Sequence, residues 1–449
     1  MFTLFEYGEQ ISLKDRKGFE GYLRFLWQDY KNLWVDENQE TENANSSNYQ
    51  PFISFDGEKA KANNFVGFIN CNDDSLEIYP KVFQNMQYLN KDLMHRHLFF
   101  WFSYCKKIKF PFNQSFLDNF EIDRFPELII YLIGKQINET VSAKPYSAYE
   151  EVEEALLTPR GKINFNRYTK ILSYGRHQFI DCDYEPFVYD NKVNRIIKHC
   201  VRLLLTQTII PETQRILHEI IHILDEVEDQ ACTINQLNQI RVPSLFDEYE
   251  DVMQCCRMIL ENQIYSHAEY EMKNWSLQFP MEYVFEDFIS GFLKDHFSKN
   301  FEIASQKSEL YLHQNPKTFN LQHDILLTNK KTTEKIIIDT KYKPRWDLKS
   351  SDNKKGVAQT DMYQMISYAY RRGTDKVILI YPNTSEKLTQ DYVFKIQKSN
   401  ENAEIKIIIV DVPFWSSVDH SEVEKNLLIK LDNVLRNDFL ASKARRPDA

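Results

Sequence analysis

Two carboxylates and one amine stand out by type and spacing. Lys335 to Tyr342 (KIIIDTKY) reads as a strand that carries Asp339 and Lys341 two residues apart. Side chains alternate along a strand, so these two share one face, and Ile336, Ile338 and Thr340 take the other. Asp324 lies upstream, at the start of a second apolar run, Asp324-Ile325-Leu326-Leu327. A hairpin turn through Thr328 to Thr333 would set it beside Asp339. Two hard oxygen donors with an ammonium group suit a Mg²⁺-dependent phosphodiesterase, with Mn²⁺ as the alternative ion. Such a cation activates water and offsets the charge that builds on a phosphate.

Helices on either side of the strand pair would have to complete this site. On a helix read over Phe279 to Phe297, Glu282 and Glu286 are four apart and share a face. Glu286 is the preferred third oxygen ligand, because Phe285 and Phe288 anchor its turn, and Glu282 is the secondary candidate. On a helix read over Gln359 to Arg372, Gln364 and Tyr368 also share a face. Gln364 is assigned to orienting a water or a phosphate and Tyr368 to supporting it, with Met365, Ile366 and Ala369 packing inward.

Length and composition constrain the rest. A chain of 449 residues exceeds one ordinary core. Its 43% hydrophobic content is ample for burial. Glycine is scarce and no G-x-x-x-x-G-K-[ST] loop is present, so the chain is not expected to hydrolyse nucleotides itself. No apolar run is long enough to span a bilayer and no signal peptide is visible, which gives a cytoplasmic expectation without membrane association. The seven cysteines form no C-x-x-C pair and read as buried thiols in a reducing compartment. His218 and His222 share a helical face, but no third zinc ligand accompanies them.

A net charge of −10 argues against bulk electrostatic coating of DNA. Locally the balance reverses. From Lys330 to Lys355 nine basic residues, Lys343 among them, meet four acidic ones. That excess surrounds the Asp339 and Lys341 pair, where a phosphate backbone would lie, and Lys343 is a secondary site candidate.

The patterning predicts an α+β / α/β multidomain chain in three parts. Residues 1–125 are β-rich, with paired strands at Asn63 to Asn70 and Ser75 to Phe83 and a helix from Asp92 to Phe110. Asn38 to Gln50 reads as an exposed loop. Residues 126–270 are mainly helical, over Pro126 to Val141, Asp190 to Thr208 and Pro211 to Val227. Residues 271–440 form a mixed sheet with flanking helices, whose central strands are Lys317 to Leu327 and Glu334 to Tyr342. Residues 441–449 read as a frayed tail.

The succession Glu286, Asp324, Asp339-x-Lys341 and Gln364-x-x-x-Tyr368 resembles the PD-(D/E)xK nuclease superfamily, and its last motif the RecB-type branch. His323 stands where that pattern often has proline. A wider set of motifs resembles the McrC family. These are Val66-Gly67-Phe68, Leu76 to Val82 (LEIYPKV), Arg160-Gly161-Lys162, Tyr184-Glu185, Asp190 to Arg195 (DNKVNR), Phe285 to Phe288 (FEDF), Asp339 to Lys343 (DTKYK) and Asp361 to Met365 (DMYQM). The resemblance implies a restriction subunit that cuts DNA through its C-terminal domain. Asp324 and Asp339 would hold the metal, with the Thr340 carbonyl and Glu286 in support, and Lys341 would act on the attacking water. It also implies that residues 1–125 dock on a hexameric McrB-like AAA+ GTPase and stimulate it. The alternatives are an adaptor that only stimulates the motor, or a stand-alone repair or RNA nuclease.

Overall fold

The computed structural model describes residues 2–14, 16–33, 52–71, 74–84, 90–106, 124–149, 151–261, 274–305, 310–343, 345, 352–383, 391–397 and 404–436. Described residues within Met1–Phe110 and Ser276–Ala449 form one compact unit, and those within Arg124–Trp275 form another. Segments 1–125 and 271–440, drawn apart along the sequence, therefore contribute to the same unit. The expected loop at Asn38 to Gln50 and the tail at 441–449 lie outside the described residues.

In the first unit a four-stranded sheet runs in the order Phe2–Phe5, Asp74–Tyr79, Phe65–Cys71, Asn274–Pro280. The first two are parallel, and the middle two form the expected hairpin, with Gly67 opposite Ile78. Asn90 caps the helix Lys91–Tyr104 by accepting from the Asp92 N–H at 2.9 Å. Cys105 turns to extended backbone and ends the helix at Tyr104. The final stretch of the expected helix, 107–110, lies outside the described residues.

Aromatic packing ties this helix to the C-terminal part of the unit. Trp101 stacks on Phe414 with ring centroids 3.9 Å apart, and its indole N–H donates to the Phe414 carbonyl at 2.8 Å. Phe100 meets Phe288 edge-on at 5.4 Å. The helix Met281–Phe297 crosses here at Gly291, where an added Cβ would stand 1.7 Å from the Tyr104 carbonyl oxygen. Alanine normally favours a helix over glycine by about 1 kcal/mol. At Gly291 the contact reverses that sign, so Gly291→Ala should lose about 1–3 kcal/mol through overpacking. Thermal unfolding of the full chain checks this, and a variant that melts at or above wild type would contradict it.

The C-terminal sheet has six strands in the order Phe301–Ser305, Ile325–Asn329, Lys335–Thr340, Lys376–Pro382, Glu404–Val412, Tyr392–Gln397. The first three pair antiparallel, the next two join in parallel, and the last edge is antiparallel. Its central strands are runs of isoleucine, valine and leucine because both faces are covered. The helix Gln359–Arg372 lays Met365, Tyr368 and Ala369 on Ile337, Val377, Leu379 and Ile407 of one face. The helix His420–Leu435 follows the last strand. This is the mixed α/β class expected from the sequence.

One expected strand is corrected. Lys317 to Leu327 divides into Lys317–Leu321, which pairs with Leu310–Gln314 in a separate two-stranded sheet, and Ile325–Asn329 of the central sheet. The polar stretch Gln322-His323-Asp324 separates them: the Gln322 carbonyl accepts from the Tyr368 hydroxyl, and the Asp324 carboxylate accepts from the Thr340 N–H and hydroxyl.

The second unit contains the expected helices as Phe125–Ala143, Lys192–Leu205 and Pro211–Ile223, together with Tyr249–Glu261. It also carries a three-stranded sheet, Val152–Leu156, Ile180–Tyr184 and Lys162–Ile163. The sequence reading missed these strands because their residues are mostly polar and only partly covered. All seven cysteines are buried free thiols.

Candidate active site

Strand register brings the two aspartates together. Ile325 lies opposite Ile338 in the antiparallel pair. One step outward therefore sets Asp324 across from Asp339. Thr340 fixes the first of them, since its backbone N–H and its hydroxyl both donate to Asp324 Oδ2 at 2.7 Å. The structure thus engages Thr340 through its N–H and side chain, a clamp that the sequence did not disclose.

Asp339 is 1% exposed, and its Oδ2 lies 2.7 Å from Lys341 Nζ. From there a continuous set of bonds leads to the neighbouring helix. Lys341 Nζ donates to Gln364 Oε1 at 3.4 Å, Gln364 Nε2 donates to the Tyr368 hydroxyl at 2.7 Å, and Tyr368 donates to the Gln322 carbonyl at 2.5 Å. The partners on both sides fix the Gln364 amide orientation. Gln364 and Tyr368 therefore link the lysine to the segment just before Asp324, so that one network braces both strands.

Electrostatics follow from burial. Burial, then the nearby Asp339 charge, pushes Asp324 up to about 7, while the two Thr340 bonds pull it back. Asp339 is also raised, by burial first, with Lys341 opposing and Asp361 and Glu286 adding to the rise. Burial works against the Lys341 ammonium, but Asp339 and then Asp324 outweigh it and hold its pKa above the usual range.

Glu286 thus acts on Asp339 through its charge, whereas Glu282 is exposed and acts on Glu6, Tyr7, Lys81 and Tyr342. Lys343 is exposed, with Nζ 3.5 Å from Asp361 Oδ2. Asp361, at the head of the D-M-Y-Q-M motif, is buried near Asp339. It went unassigned in the sequence because nothing in its spacing links it to the strands. His323 is buried with its ring 6.2 Å from that of Tyr368.

Two juxtaposed carboxylates, Asp339 buried and Asp324 partly buried, each with raised proton affinity, would be stabilised by a hard cation. Among the described residues no group of three or more His, Cys, Asp or Glu side chains is placed to hold a metal. Two carboxylates completed by water and substrate phosphate are a donor set that Mg²⁺ accepts. Such a set does not fit a closed structural zinc site. No described helix is long and apolar enough to cross a membrane.

The model of the family described as McrBC 5-methylcytosine restriction system component matches residues 60–382. Among solved structures, the chain is similar to a chain of the refined half-complex from the tetradecameric assembly of Thermococcus gammatolerans McrB AAA+ hexamers with bound McrC. The TM-score is 0.68 at 17% identity, over 96% of this chain and 99% of that one. A chain of the cryo-EM structure of the Thermococcus gammatolerans McrBC complex gives a TM-score of 0.50 at 19% identity, over 65% of this chain and 86% of that one. At these identities the likeness is one of fold. A comparison with curated proteins gives no match.

Proposed function

The chain belongs to the family of McrBC 5-methylcytosine restriction system components, and we propose that its Asp324, Asp339 and Lys341 form a metal-dependent site that hydrolyses DNA phosphodiesters. The observation that carries this reading is Asp324 facing Asp339 across the strand pair, with the Lys341 ammonium 2.7 Å from Asp339. It is the arrangement expected of a PD-(D/E)xK nuclease.

Asp324 and Asp339 would hold Mg²⁺, which supplies polarisation of the phosphate and a more acidic water when bound. The protein's own groups do the rest. Thr340 keeps the Asp324 carboxylate at the strand end, where its remaining oxygen is available to the site. Lys341, steered by Gln364, places a positive charge where negative charge develops on the phosphate oxygens. Glu286, whose negative charge acts on Asp339, favours cation occupancy. Lys343 is exposed beside the site and supplies a contact for the DNA backbone, whereas Lys330 and Lys331 lie in the hairpin turn at the other end of the strand pair.

The T. gammatolerans half-complex contains McrB AAA+ hexamers with bound McrC. By the same reading, this chain works with a McrB-like GTPase hexamer and stimulates it. Such a partner locates DNA, which accounts for an acidic cutting subunit with a local basic surface.

Plasmid cleavage by the full chain, with its motor and GTP, tests the proposal. Cutting is expected in Mg²⁺, should fall to background in EDTA, and should return when Mg²⁺ or Mn²⁺ is restored. Stimulated GTP hydrolysis with intact DNA would make the chain an adaptor. Cutting at full rate without the motor would make it a stand-alone nuclease.

A further inference from the structure

The segment Lys341-Tyr342-Lys343 leaves the central strand at Thr340 and needs support beyond the sheet. The Lys341 N–H donates to the Ile380 carbonyl at 2.8 Å, and the Lys343 N–H to the Lys341 carbonyl at 2.7 Å. The stronger anchor is Tyr342, which is 3% exposed. Its hydroxyl donates to Glu6 Oε2 at 2.9 Å, and its carbonyl accepts from Lys81 Nζ at 2.9 Å. The Lys81 ammonium also lies 4.1 Å from the centre of the Tyr342 ring.

Glu6 and Lys81 come from the N-terminal sheet. They follow the parallel strands Phe2–Phe5 and Asp74–Tyr79, whose register pairs Phe5 with Tyr79. The Glu6 N–H then donates to the Tyr79 carbonyl at 2.9 Å, so the two strand ends stay together. Glu6 Oε2 also accepts the Lys81 backbone N–H at 3.0 Å, which closes a triangle of the buried Glu6 and Tyr342 with the partly buried Lys81. Burying a carboxylate and an ammonium is unfavourable unless both are bonded, so the triangle is intolerant of losing a member.

The ion pairs of the two residues flanking Tyr342 convert this anchor into a constraint on the site. Tyr342 is held by Glu6 and Lys81, while Lys341 pairs with Asp339 and Lys343 with Asp361. Resting on the nuclease reading above, we propose that Glu6 and Lys81 are positioning residues that hold Tyr342 and thereby set Lys341 for cleavage. The N-terminal sheet is then part of the cutting machinery, in addition to any role in docking.

Steady-state cleavage over a range of DNA concentrations, with the full chain, its motor and GTP, reads this out. Lys81→Met should lower kcat about 10–100-fold, the loss expected for a small misplacement of a catalytic group, with KM for DNA unchanged. Lys81→Arg should recover most of the rate, because it restores a cation over Tyr342. Tyr342→Phe, which removes only the hydroxyl bonded to Glu6, should also lower kcat and gives a second reading if Lys81→Met folds poorly. Wild-type kcat in Tyr342→Phe, or in a Lys81→Met that melts with wild type, would overturn the inference. Asp339→Ala separates the two levels. If it cuts at the wild-type rate, the nuclease reading itself fails; if it is inactive while Lys81→Met and Tyr342→Phe cut normally, only the positioning role fails.

Discussion

Asp339→Ala is expected to bring DNA cleavage to background, and Lys341→Ala to slow it by about 10²–10³-fold, the loss typical of removing one group that stabilises charge in a transition state. The asymmetry follows from geometry. Asp339 is both half of the carboxylate pair and the anchor of the Lys341 ammonium at 2.7 Å, so its removal disables two functions together. Lys341→Ala leaves Asp324 clamped by Thr340 and leaves the cation donors in place. Asp339 would then lose the neighbour that opposes its raised proton affinity. Neither residue carries the packing of the sheet, which rests on Ile336, Ile337, Ile338 and their partners. Both variants should therefore still bind the motor and stimulate GTP hydrolysis. Single-turnover cleavage measured beside GTPase stimulation checks the pair of expectations. If cleavage survives both substitutions, the cutting site lies elsewhere.

Much of this site was legible because its parts are close in sequence. Alternation along Lys335 to Tyr342 and a short hairpin are enough to oppose Asp324 and Asp339, and helical spacing is enough to align Gln364 with Tyr368. What stayed hidden depends on which partner a polar group selects. Gln364 reads equally well as a water-orienting amide or as the link to Lys341, and Thr340 as a carbonyl donor or as a clamp. The contribution of the N-terminal sheet was less accessible still. Glu6 and Tyr342 are 336 positions apart, and no periodicity marks such a contact. Edge strands such as Tyr392–Gln397 escaped for another reason: one exposed face dilutes the apolar signal.

Gly67→Ala should be the most destabilising of these substitutions, because two independent penalties meet at one atom. Its φ is +139°, a region that side chains rarely adopt, and an added Cβ would stand 1.9 Å from the Leu277 carbonyl oxygen. Backbone strain of about 1–3 kcal/mol and overpacking of about 1–3 kcal/mol act together. Gly291 suffers only the second. Gly67 is held by strands on both sides, Asp74–Tyr79 and Asn274–Pro280. For a unit of this size a loss of about 4 kcal/mol lowers the melting point by roughly 8–16 °C. Because unfolding of two units need not be a single transition, the earliest transition is the one to follow, by calorimetry or by proteolysis. The same sheet supplies Glu6 and Lys81 and belongs to the same compact unit as the C-terminal sheet, so cleavage should be lost at that transition. A Gly67→Ala protein that melts and cuts like wild type would mean that Phe65–Cys71 does not lie against Leu277. The route from the N-terminal sheet to Lys341 would then lose its foundation.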